Sequence, residues 1–172
     1  MKIAIVFDSI TQNTQTVAEA ICQALPQTDV VYCGAPASGI DADCYLVGSW
    51  TDKGMCSDKI KSFLETLHHK TVAYFATAGF GGSASYYEKL FDRVSAVIPK
   101  DNLLASPFFC QGKMPMSVRD RYVQLMTAHP EDRSLAVSIQ NFDEALAHPN
   151  GEDLQNARDW AKEVVEQAQT IG

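Results

Sequence analysis

The chain has no apolar run approaching the roughly 20 residues of a membrane-spanning helix, and the short one that follows Met1-Lys2 is stopped by Asp8. It also lacks the charged and apolar regions of a secretory leader, so a cytoplasmic protein is expected, with no membrane partner. Basic tracts are missing as well. Fourteen Lys and Arg stand against 21 Asp and Glu, a net charge of −7, and no four basic residues are consecutive. That balance argues against nucleic acid and anionic membranes as partners and favours electropositive ones. Cysteine is sparse: residues 22, 33, 44, 56 and 110 are odd in number and show neither C-x-x-C nor His-paired metal spacing. Free thiols are the expected state, with Cys56, in a loop, the one candidate for a redox role. Neither the P-loop G-x-x-x-x-G-K-[ST] nor the dinucleotide G-x-G-x-x-G is present. There is no internal repeat and no low-complexity linker, and 172 residues suit one domain, 1–172, with a substantial core.

What is present is an alternation of apolar β-type runs with helical patterns. Lys2 to Phe7, Asp29 to Cys33, Asp43 to Ser49, Thr71 to Thr77 and Asn102 to Cys110 read as five strands. The second is short and edge-like, and Pro107 argues for an edge position in the fifth, because proline cannot donate to a ladder. Helix faces follow: Val17, Ala18, Ile21, Cys22 and Leu25; then Ile60, Phe63, Leu64 and Leu67 with Ser57 as N-cap; then Tyr86 to Ile98, closed by Pro99. Residues 113–149 form an insertion with two helical stripes, Val118-Tyr122-Leu125-Met126 and Leu135-Ile139-Phe142-Leu146, separated by Pro130. A last helix covers Asp153 to Gln169. Strands separated by helices imply an α/β fold in three layers, with a parallel sheet and right-handed crossovers.

Ligands bind such sheets outside the carboxyl ends of the strands. The first loop there, Ser9-Ile10-Thr11-Gln12-Asn13-Thr14, joins a buried strand to a helix N-terminus, where unpaired N–H groups and the helix dipole suit a phosphate. Ser9, Thr11, Asn13 and Thr14 add neutral donors, and the loop has no Lys or Arg. Plain helix capping is the alternative reading. The second loop carries Ser49 and Trp50, whose indole is wide enough to stack on a ring, then Thr51, Asp52, Lys53 and Gly54. The third carries Thr77, Ala78, Gly79, Phe80, Gly81 and Gly82, whose glycines allow close backbone approach. Singly, Trp50 could be a packing residue and the glycines a tight turn.

Ser-x-Thr-x-Asn-Thr after a first strand resembles the FMN-phosphate loop of flavodoxins, with Gln12 where that loop usually has glycine. If the backbone there needs positive φ, Gln12 is strained. The resemblance extends over the chain and implies a flavodoxin-like sandwich, a five-stranded sheet in the order 2-1-3-4-5, and FMN as cofactor. It also implies electron transfer with a redox partner protein or reductase subunit, and two ring-contacting loops at 49–54 and 77–82. A carbonyl flip near Gly54 would serve the reduced flavin. The segments Gly79-Phe80-Gly81-Gly82, Phe109 to Met114 and His148-Pro149-Asn150 are similar to a bacterial subfamily that includes the flavodoxin-like component of bilirubin reductase. The overall acidity, with Asp52 near the ring, would lower the flavin potential, and Lys53 would oppose it. Lys113, Arg119, Arg121 and Arg133 in the insertion are read as solvated charges paired with Asp120, Glu131 and Asp132. They could alternatively receive a carboxylate or an acidic partner. A phosphoacceptor receiver domain is the competing reading from the architecture: Thr77 and Lys113 suit it, but Asp8 is a single acid and the third strand ends in Ser49-Trp50. A flavin-free scaffold is the third.

Overall fold

The computed structural model describes residues 1–81 and 83–171. Strand β1 (Ile3–Asp8) lies between β2 (Val30–Gly34) and β3 (Cys44–Asp52), and β3 pairs on its far side with β5 (Thr71–Ala78). All these pairings are parallel. The expected fifth strand is present in two pieces, β6 (Leu103–Leu104) and β7 (Phe108–Gln111), both parallel to β5. Pro107 lies in the gap, where its missing N–H leaves no ladder bond to break. The expected order is therefore kept, with one addition: β4 (Met55–Cys56) folds back antiparallel onto β3.

Side-chain alternation along β1 divides the interior. Ile3 and Ile5 face α1 (Asn13–Ala24) and α6 (Gly151–Ile171), together with Val17, Ile21, Leu46, Phe75, Ala161 and Val164. Ala4 and Val6 face the opposite layer, α2 (Asp58–Leu64) and α3 (Ala84–Ser95), with Val47, Ile60, Leu64, Tyr74 and Val94. Each fully buried Ile, Leu or Phe contributes about 1.5–3 kcal/mol, and both faces of the sheet are covered.

The insertion forms a helical hairpin, α4 (Met116–Ala128) and α5 (Arg133–Ala145). Helix α5 is anchored by Leu135, Phe142 and Ala145, whereas α4 has no fully buried residue and leaves Met116, Val123, Leu125 and Met126 exposed. Arg119 Nε and Nη2 donate to Asp143 at 2.7 and 3.2 Å, which fastens α4 to α5. Its partner is thus Asp143 rather than a neighbouring acid on its own helix. Ser57 caps α2 as expected, its hydroxyl accepting from Ile60 N–H at 3.4 Å. Asn150 caps α6, with Oδ1 accepting from Glu152 and Asp153 N–H at 3.0 Å, while the Asp153 carboxylate accepts from Asn150 N–H at 2.8 Å. Among the described residues no helix is long and apolar enough to cross a membrane, and no cluster of His, Cys, Asp and Glu is arranged to hold a metal ion.

Candidate functional site

Loop 9–12 carries the chain from β1 into α1. Gln12 has φ 66° and ψ −4°, so the loop follows the left-handed path of a glycine with a residue that bears a Cβ, at a cost of about 1–2 kcal/mol. Its carbonyl starts the helix, accepting from Thr16 N–H and from the Thr16 hydroxyl, both at 2.9 Å. Ser9 Oγ accepts from Gln15 N–H at 3.2 Å, so this hydroxyl caps the helix. Asn13 and Thr14 open the helix, and their N–H groups have no intrahelical acceptor. Asn13 is 6% exposed. Its Nδ2 donates to Thr11 Oγ1 at 3.0 Å and to the carbonyl of Lys113 at 2.8 Å, whereas its Oδ1 is buried with no partner among the described residues. A buried acceptor without a protein partner beside a helix N-terminus is free to accept from a ligand or a water.

In the second loop, Trp50 Nε1 donates to Asp8 Oδ2 at 3.1 Å, and Lys59 Nζ lies 3.4 Å from Asp8 Oδ1. The indole is thereby held from behind. Burial pushes the Asp8 carboxyl up, but hydrogen bonds from Ser57 and Trp50 and the charge of Lys59 outweigh it, so Asp8 titrates below the ordinary 3.8. A lowered carboxylate pKa stabilises the fold above the unfolded value and stops doing so as pH falls through the folded one. Urea midpoints should therefore separate wild type from Asp8→Asn fully above about pH 5, with the gap closing below the ordinary carboxylate range. A pH-independent gap would show that the Asp8 charge is not what holds Trp50.

Two parts of this loop lie away from the crevice. Ser49 does not reach the crevice: it is fully buried, accepting from Ser57 N–H at 2.9 Å and donating to the Trp50 carbonyl at 2.7 Å. Lys53 (φ 47°) and Gly54 (φ 79°) form the two-residue turn of the β3–β4 hairpin, with Asp52 paired to Met55. The hairpin tip leans on α3, where Arg93 Nη1 donates to the Gly54 carbonyl at 3.3 Å. That carbonyl is engaged, and Asp52, Lys53 and Gly54 do not line the cavity described below. Cys56, at the end of the hairpin, is 3% exposed, and burial pushes its thiol up to about 11, the opposite of a redox-active cysteine. All five cysteines are free.

The third loop is tied both to the first loop and to the insertion. Thr77 and Thr14 share a buried hydroxyl–hydroxyl bond of 2.9 Å. The Gly79 carbonyl accepts from Asn141 Nδ2 at 3.0 Å and from Gln111 Nε2 at 3.1 Å, and Gly81 N–H donates to Asn141 Oδ1 at 3.4 Å. Phe80 is 40% exposed and packs edge-on to Tyr86, away from the crevice. Gly82 lies outside the described residues.

These loops enclose a cavity of about 320 Å³ at the carboxyl ends of β1, β3 and β5. Of the expected residues, Thr11, Asn13, Trp50, Thr51, Thr77, Ala78 and Gly79 line it, whereas Ser9, Gln12, Thr14, Phe80 and Gly81 do not. The wall that sequence reasoning missed is the start of the insertion, Gly112 to Pro115 with Val118, joined by Ile10. Nothing local in segment 109–114 signals that it meets Asn13. A larger groove of about 610 Å³ runs between residues 36–40 and α2. It is open and lies away from the loop convergence, so the smaller cavity is the better site.

An open parallel sheet brings a hydroxyl-rich first loop, a pinned indole and a glycine-containing third loop around one crevice, the architecture of a ligand-binding α/β protein. The family model for the flavodoxin domain matches residues 4–162, and the chain belongs to the flavodoxin family of FMN-binding electron-transfer proteins. Two curated relatives match nearly end to end. The flavodoxin-like domain-containing protein BilS of Clostridioides difficile (strain CD3) is 28% identical over 176 residues, spanning 99% of this chain and 100% of that protein. The protein of the same name from Clostridium symbiosum (strain WAL-14163) is 33% identical over 172 residues, 90% of each. Among solved structures, the flavodoxin of Streptococcus pneumonia TIGR4 superposes with a TM-score of 0.57 over 97% of this chain and 99% of that one, at 16% identity, a likeness of fold. The receiver reading is set aside, since Asp8 is engaged by Trp50 and Lys59 and Thr77 by Thr14.

Proposed function

We propose that the chain binds FMN in the 320 Å³ cavity and works as the flavin-carrying component of a reductase, serving the reduction of a tetrapyrrole of the bilirubin type. The observation that carries this reading is the convergence of a helix N-terminus, an orphaned Asn13 Oδ1 and a fixed indole on one largely apolar cavity. These groups suit the cofactor. The N–H groups of Asn13 and Thr14 would face its phosphate, Asn13 Oδ1 would accept from a ribityl hydroxyl, and Trp50 would give the ring a flat wall. When bound, FMN supplies one- and two-electron redox chemistry.

The protein's own part is to bind, orient and exclude water. Lys113 is the sole ionisable side chain among the residues lining the cavity, so no acid–base pair is built into it. That favours a carrier whose substrate is reduced with the help of a partner subunit. The relationship to the BilS proteins points the same way. An apolar rim flanks the cavity, with Ile10 67% and Met116 55% exposed, and offers such a partner or an apolar substrate a place to approach.

The test is a titration of purified protein with FMN, followed by absorbance and flavin fluorescence after gel filtration. The wild type should stay yellow, and Trp50→Ala should bind about tenfold more weakly, as the loss of one aromatic stacking contact implies. A chain that emerges colourless overturns the reading. The tetrapyrrole assignment is tested separately, by anaerobic reduction of the loaded protein and addition of bilirubin with and without a partner reductase subunit. Unchanged bilirubin in both would remove that assignment and leave the carrier.

A further inference from the structure

Loop 9–14 holds no cation, and a phosphate bound there would be expected to meet neutral donors alone. The fold alters this. A second cavity, about 190 Å³, adjoins the first and is lined by Thr11, Gln12, Asn13 and Thr16 on one side and by Lys113 and residues 146–149 on the other. Thr11, Asn13 and Lys113 line both cavities. The second contains the N-terminal turn of α1 and no acidic lining residue, within a chain of net charge −7.

The position of Lys113 is fixed by its main chain. Its N–H donates to the carbonyl of His148 at 2.9 Å, and its carbonyl accepts from Asn13 Nδ2 at 2.8 Å. The second of these bonds also orients the Asn13 amide, which could not turn over without setting its oxygen against the Lys113 carbonyl. Asn13, 94% buried by its 6% exposure, therefore keeps a free acceptor between the two cavities. An exposed lysine that lines both cavities, beside a helix N-terminus and an unpaired acceptor, suits a ligand that joins an anion to a hydroxyl-bearing chain.

Resting on the FMN reading above, we propose that the phosphate occupies the second cavity and that Lys113, delivered by the insertion, is its cationic partner. Residues 146–149 close the far side. The charge lets this chain prefer phosphorylated flavin to riboflavin, and it makes that preference sensitive to salt, since a partly exposed ion pair is screened.

The experiment is a fluorescence titration of flavin-free protein with FMN and with riboflavin, at low and high ionic strength, for wild type, Lys113→Met and Lys113→Arg. The wild type should favour FMN, less so at high salt. Lys113→Met should lose roughly tenfold or more in FMN affinity, as expected for a hydrogen bond to a charged group. It should leave riboflavin affinity unchanged and flatten the salt dependence, and Lys113→Arg should restore most of the loss. Equal losses for both flavins would make Lys113 a packing residue and overturn the proposal, as would unchanged FMN affinity in Lys113→Met. Wild type that binds neither flavin overturns the FMN reading itself, whereas tight FMN binding with an indifferent Lys113 overturns this inference alone.

Discussion

Gly112→Ala lowers FMN affinity by roughly ten- to hundredfold, the equivalent of the 1–3 kcal/mol that overpacking a filled site costs. A Cβ on Gly112 would stand 2.7 Å from Asn13 Nδ2, 3.1 Å from its Cγ and 3.2 Å from its Cβ. Asn13 cannot retreat, because it is buried and its amide is tied to Thr11 and to the Lys113 carbonyl. The methyl group must push Asn13 off the opening turn of α1 or part the two walls of the cavity. The comparison is Gly151→Ala, where a Cβ meets nothing within 4 Å and flavin binding should match wild type. The same titration reads both, and wild-type affinity in Gly112→Ala would mean that the fit of Asn13 against residue 112 is immaterial to the cofactor.

Phe142→Ala destabilises the protein by about 3–5 kcal/mol, the usual range for emptying a fully buried aromatic site. Phe142 is the largest fully buried side chain of the insertion. Its neighbour Asn141 holds both Gly79 and Gly81 of the third loop, so the damage should reach the cavity. Urea denaturation should show a lower midpoint, and flavin affinity should fall with it. Val137→Ala on the same helix is the control: Val137 is 62% exposed, and surface changes of this kind stay within about 0.5 kcal/mol. If Phe142→Ala lost less than about 1 kcal/mol, the insertion would not be an integral part of the folded core.

The layers of the fold could be read from the sequence because they depend on local periodicity. Ile3 and Ile5 face one layer and Ala4 and Val6 the other, as period-two alternation requires, and the stripes named from spacing on α1, α2, α3 and α6 pack inward, whereas Leu125 and Met126 of the α4 stripe and Leu146 of the α5 stripe are exposed. Pro107 marked the weak point of the last strand, though as an edge residue and not as a break. The second loop carries a further legible signal. Lys53-Gly54 between Thr51-Asp52 and Met55-Cys56 has the pattern of a two-residue hairpin, and the structure forms it. Ser49 shows another limit, since a hydroxyl at a strand end looks the same whether it faces a ligand or braces the next helix. Nothing local in Gly112, Lys113 and Met114 marks them as a wall that faces Asn13. Residues 13 and 113 meet although β3 and β5 lie between β1 and β7, because the segments that follow these parallel strands leave the same end of the sheet, and a pairing over that sequence distance follows from topology rather than composition.

That separation bears on how the protein is made. As the chain leaves the ribosome, the loop that would greet a phosphate emerges among the first residues, while the opposing wall and the clasp at 146–149 are still to be synthesised. On the proposed binding mode, flavin capture awaits completion of the last third of the chain, and a product truncated before Lys113 would carry the recognisable loop without its opposing wall.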